Sequence, residues 1–144
     1  MVFDALVALH VICAVVGFGA VAITGVYGAT AAHPQRPGAA EETARYFSAG
    51  GRAEWLVLAV PFIGAAALGV RPDGADFGEV WVVAAAAIWL VAAALLVGVV
   101  RPAERRIRTG GAPAAPAGRR LMWASVASDV LFLAALVLMI GQPA

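Results

Sequence analysis

The stretch VWVVAAAAIWLVAAALLVGVV, residues 80–100, carries no charge, and RPAERRIR, residues 101–108, follows it immediately. A helix rises about 1.5 Å per residue, so about 20 apolar residues cross the roughly 30 Å hydrocarbon core of a bilayer. The first segment is therefore long enough for one crossing, and the second is too charged to enter. Three further stretches are also long and mostly apolar, each with a single carboxylate: residues 3–29 with Asp4, 53–70 with Glu54 and 121–140 with Asp129. The expected fold is all-α, a single integral membrane domain built as an up-and-down bundle of four transmembrane helices.

Composition agrees. Of 144 residues, 62% are hydrophobic and 13% charged, with a mean hydropathy of +0.89. Soluble domains carry about 25% charged residues. The net charge of +1 gives no general attraction to nucleic acid. The single cysteine, Cys13, falls inside the first span and reads as a small buried apolar residue. Asp4 stands where a secretory signal would be positive, so the first span is expected to stay in the mature chain.

The arginines set the threading. Connection one, about 30–52, holds Arg36, Arg45 and Arg52; connection three, about 101–120, holds Arg101, Arg105, Arg106, Arg108, Arg119 and Arg120. Connection two has only Arg71, against Asp73, Asp76 and Glu79. Basic residues in short loops stay in the cytoplasm. Connections one and three are thus expected inside, both termini outside, in a bacterial cytoplasmic membrane. Arg105, Arg106 and Arg108 are candidate contacts for anionic lipid headgroups. Tyr27, Tyr46, Trp55 and Trp123 fall near the inner boundary, where amphipathic rings are favoured. Trp89 falls mid-span and is expected to pack between helices.

The connections have their own grammar. His33-Pro34-Gln35-Arg36-Pro37-Gly38 should break the first helix, and residues 39–49 read as a short polar helix ended by Gly50-Gly51. Residues 101–108 should extend the third span, with Pro102 perturbing its start. Residues 110–118 read as a mobile linker. Pro61 should kink the second span by freeing the carbonyl of Val57.

Ionisable residues within a span are functional candidates. His10 lies roughly 9 Å below the outer boundary, and Asp129 roughly 13 Å from the inner one, with Ser125 one turn earlier on its face. His10, Asp129 and Ser125 are candidates for an intramembrane polar clamp or proton relay. His10 shares a stripe with Cys13, Gly17, Thr24 and Gly28, small residues that allow close helix packing. The same shape could admit a flat macrocycle, making His10 a candidate axial ligand of haem b. His33 is too far along the chain to serve as a second ligand; Met139 lies on the correct side. Glu54 is expected at an interface, solvated or Arg-paired. No phosphate loop, cysteine pair, zinc-spaced histidine cluster or nucleophile motif is present.

Leu9-His10 early in span one, then Gly17 and Gly19, and the closing Leu138-Met139-Ile140-Gly141-Gln142-Pro143 resemble an uncharacterised family of small bacterial four-span membrane proteins. More distantly, the chain resembles the membrane domain of copper-resistance protein D and membrane-bound protoporphyrinogen oxidase. In the latter an early-span Leu-His carries a haem-linked histidine, and His10 matches that position.

Two classes of function follow. The first is a non-catalytic subunit or scaffold of a membrane complex, as homo-oligomer or within a larger assembly. The second is a haem-binding redox protein. A transporter or its accessory comes third, because it needs a polar path that one chain with so few intramembrane polar residues does not line.

Overall fold

The computed structural model describes residues 1–33, 35–48, 53–74, 76–109 and 114–141. Helix α1, Val2–Ala32, ends where His33 caps it, its Nδ1 bonded to the Ala29 carbonyl at 3.0 Å. Gly38, with φ of +78°, turns the chain into α2, Ala39–Ser48. A positive φ strains any residue with a Cβ, so glycine belongs there. A 3₁₀ turn, Ala53–Trp55, leads into α3, Leu56–Gly69. Helix α4, Val80–Leu95, runs through a π-helical turn, Leu96–Val100, into α5, Arg101–Thr109. The last helix, α6, is Ala114–Gly141. The described residues are otherwise turns and bends.

Among the described residues, three helical stretches are long and apolar enough to cross a membrane: Val2–Ala32, Val80–Thr109 and Ala115–Gly141. A fourth is reached when α2 and Ala53–Gly69 count as one span bent by 56°. On its own, α3 has 14 residues, and its leading turn adds three. That length sits at the lower limit for a crossing. Glu54 and Trp55 in the leading turn mark where the apolar run starts.

Helix α1 is the central element, packed on α3 along one side and α6 along another, while α4 and α5 pack on α6. The reason is the residues it presents. Cys13, Ala14, Gly17, Phe18, Val21, Thr24, Gly25 and Gly28 are buried. A Cβ on Gly17 would lie 2.8 Å from the Val57 nitrogen, and one on Gly118 would lie 2.5 Å from the Gly28 oxygen. Only glycine allows backbones so close. The small-residue stripe of α1 is thus taken up within the chain. Phe18 stacks on Phe132 of α6 at 4.7 Å. Large apolar residues such as Val16, Ile23, Val83, Leu90, Val130 and Val137 point outward, as lipid-facing positions would.

Two expectations about the third connection change. Helix α6 begins at Ala114, so residues 114–118 are helical; residues 110–113 of the expected linker lie outside the described residues. Pro116 is tolerated because first-turn N–H groups have no intrahelical partner. Gly118 serves close packing on Gly28 instead of flexibility. Pro102 acts upstream of itself. Lacking an N–H, it cannot bond Gly98, and the ladder widens so that the Arg101 nitrogen donates to the Leu96 oxygen. The helix continues through this turn from Val80 to Thr109. Gly50, Gly51, Arg52, Gln142 and Pro143 also lie outside the described residues.

Candidate functional site

The polar side chains gather in two places. The first is midway along the bundle. His10 Nδ1 lies 2.9 Å from the Val60 carbonyl oxygen, joining α1 to α3. The imidazole rests on Gly64, where a Cβ would come within 2.9 Å of the ring. Nδ1 facing a carbonyl donates its proton to it, and in a neutral ring Nε2 then keeps its lone pair. One turn earlier on α3, Pro61 denies the Val57 carbonyl its helical donor. Trp89 Nε1 of α4 supplies the missing donor at 2.7 Å. The Trp89 ring stands edge-on to Phe62. The expected kink residue and the expected interhelical tryptophan are thus two parts of one contact.

Among the described residues, no hydrogen bond joins Asp129 to His10. Asp129 is half-buried on α6, and none of the described residues hydrogen-bonds or ion-pairs with it. Ser128 bonds back to the Ala124 carbonyl at 2.9 Å. Ser125 is fully buried at the crossing with α1, where a Cβ on Gly25 would meet its own Cβ at 2.6 Å. Its hydroxyl has no hydrogen-bond partner among the described residues. Small size explains Ser125 at that crossing, and it forms no bond to Asp129.

The second place is the arginine-rich end. Arg101, at the first position of α5, is 5% exposed, and Glu54 and Glu104 are buried beside it. Arg101 Nη1 lies 3.3 Å from Glu54 Oε1 and 3.0 Å from Glu104 Oε2. Its guanidinium carbon sits 4.1 Å from the centroid of the Trp55 ring. A planar, weakly hydrated cation suits both contacts. Nε and Nη2 of Arg101 are buried without a hydrogen-bond partner among the described residues. Of the two readings of Glu54, the Arg-paired one describes its position, and the pair is buried.

Helix α2 closes over this cluster. Its Ala39, Thr43 and Phe47 face inward. Thr24 Oγ1 of α1 and the Tyr46 hydroxyl share a hydrogen bond of 2.8 Å, and Tyr46 stacks on Tyr27 at 3.8 Å. Burial pushes the Tyr46 hydroxyl above its ordinary range. The Thr24 bond opposes that shift, and the charges of Glu54 and Glu104 add to it. Thr24 therefore anchors α2 as well as belonging to the small stripe. Sequence reading placed Tyr27, Tyr46 and Trp55 at one boundary. It did not bring Arg101 and Glu104 together with Glu54, because Glu54 lies 47 positions from Arg101 and Arg101 looked like one topology charge among nine.

Arg105, Arg106 and Arg108 are exposed, as are Arg119 and Arg120. Among the described residues, no group of three or more His, Cys, Asp or Glu is placed to hold a metal ion.

The fold and these sites define a class, an all-helical bundle with three to four candidate membrane-spanning helices. No protein-family model, curated protein or solved structure matches the chain.

Proposed function

We propose that this chain is a non-catalytic subunit of a larger membrane complex, in a bacterial cytoplasmic membrane with connections one and three inside. The observation that carries the reading is Asp129. It lies within a span and has no partner among the described residues. A carboxylate in hydrocarbon is costly unless a donor meets it. The donor is then a side chain of another subunit, set against the flank of α6.

The polar atoms that do find partners support the same reading. His10 joins α1 to α3, Trp89 joins α4 to α3, Thr24 joins α1 to α2, and Arg101 joins α5 to the turn before α3. Each bond is used to hold helix to helix.

The test is crosslinking in the native membrane followed by gel analysis. Wild type is expected in a product heavier than one chain, and Asp129→Leu should deplete that product while the isolated chain stays folded. A wild type that runs only as a monomer, or an Asp129→Leu chain that assembles normally, would overturn the proposal.

One observation favours a second reading, a haem-binding protein. An Nδ1–H held by a carbonyl, as at His10 and Val60, is how a protein orients a metal-ligating imidazole. Gly64 leaves the ring its space. His10 would then be the axial ligand. The visible spectrum decides. A Soret band lost in His10→Ala would replace the subunit reading, and colourless protein from haem-supplied cells would dismiss the haem.

A further inference from the structure

The described arginines outside the 105–120 segment are engaged with carboxylates. Arg36 meets Glu42 at 3.7 Å, Arg45 meets Glu41 at 3.0 Å, Arg71 meets Glu79 at 3.5 Å, and Arg101 holds two acids. Arg105, Arg106, Arg108, Arg119 and Arg120 differ. All five are exposed, and no described carboxylate lies within ion-pair distance of any of them. They occupy α5 and the first turns of α6, two helices that pack together.

A concentration of unpaired cations needs counter-charge. Where it sits relative to the apolar surface says what supplies it. On α6, Arg119 is followed on the same helical face by Trp123, Val126, Val130 and Val137, at steps of three, four and seven residues. These four are 65%, 46%, 59% and 69% exposed. One face thus reads cation, then amphipathic ring, then an uninterrupted apolar strip. Its complement is a molecule with an anionic head and an apolar tail held in one line. A free phosphate would use the arginines and leave the tryptophan and strip without a role.

We infer that Arg119, Arg120 and Trp123, with Arg105, Arg106 and Arg108 of the adjoining α5, form a binding site for an anionic phospholipid. Its phosphate lies among the guanidinium groups and its acyl chains lie along α6. Arginine forks match phosphate oxygens in two-point hydrogen bonds. Trp123 marks the headgroup level, where an indole keeps its ring in the apolar region and its N–H towards water. Asp129 lies on the flank of α6 relative to this face by helical spacing, so lipid and the proposed partner subunit do not compete for one surface.

The experiment is native mass spectrometry of the full chain from mixed phosphatidylglycerol and phosphatidylcholine micelles. Wild type should retain phosphatidylglycerol in preference to phosphatidylcholine. Arg119→Gln with Arg120→Gln should lower that retention roughly tenfold or more, and Trp123→Ala should lower retention of both lipids. Because the α6 pair lies near the packed Gly118, the exposed triple change Arg105→Gln, Arg106→Gln and Arg108→Gln serves as a second variant and should also weaken retention. Equal retention of the two lipids by wild type would overturn the site, as would unchanged preference in both arginine variants. Displacement of the lipid by glycerol phosphate alone would identify a phosphate site and overturn the lipid.

Discussion

Trp89 Nε1 donates to the carbonyl oxygen of Val57 at 2.7 Å, closing between α4 and α3 the hydrogen bond that Pro61 leaves open within α3. Trp89→Phe keeps most of the ring volume and orphans that carbonyl. The expected cost is about 1–3 kcal/mol in a thermal or SDS unfolding curve. In a Pro61→Ala background residue 61 regains an N–H, and the same substitution should cost clearly less. Strictly additive effects would break the proposed link.

Arg101 is the counter-charge for two buried carboxylates. Arg101→Met takes the buried counter-charge from Glu54 and one partner from Glu104, and a loss of about 3–5 kcal/mol is expected. Arg101→Lys should recover only part of it, because an ammonium lacks the flat face that Trp55 covers. Full recovery by lysine would mean that charge alone matters there.

Tyr46 predicts a pH effect with a definite sign. Burial, the largest cause, raises its folded pKa above the ordinary value of about 10. The folded chain therefore holds this proton more tightly than the unfolded chain. The stability so contributed is present below the unfolded pKa and is lost as pH rises through the folded one. In a Tyr27→Phe background, the tyrosinate absorbance should appear at higher pH than in the denatured chain. Coincident titrations would contradict the buried placement of Tyr46 under α2.

The glycines separate sharply by what a methyl group would meet. Gly118→Ala places it 2.5 Å from the Gly28 oxygen and should destabilise by about 1–3 kcal/mol. Gly19→Ala meets nothing within 4 Å and should change the melting temperature little. Equal effects at both positions would remove the α1–α6 crossing from the fold.

The proposed orientation is tested by labelling. In a Cys13→Ala background, Asp73→Cys should react with an impermeant thiol reagent on intact cells, and Thr109→Cys should react only after lysis. Both positions are exposed. The opposite pattern would invert the proposed threading.

Several of these relationships were half legible in the chain. Pro61 pointed to a free carbonyl at Val57, and Trp89 was conspicuous as a mid-span indole, yet nothing in the spacing joined them. Val57 and Trp89 lie 32 positions apart, and only the packing of α4 near α3 brings donor to acceptor. The small stripe of α1 was visible from its period, but the period is silent on whether α3, α6 or a second chain covers it. The start of α6 was misplaced because Gly, Ala and Pro usually mark flexible chain, while here Gly118 marks the closest backbone approach in the crossing.

The sequence by itself determined that this chain is helical and suited to lipid, since apolar runs of about 20 residues, far longer than a barrel strand of about 10, satisfy their backbone groups in lipid as helices. It also determined which ends of those helices carry charge. The tertiary structure alone decided which polar groups meet. It set His10 against Val60, Thr24 against Tyr46 and Arg101 against Glu54, and it left Asp129 without a described partner. Such pairings depend on which helix faces which neighbour, and a helix's own period defines its face without naming what lies opposite.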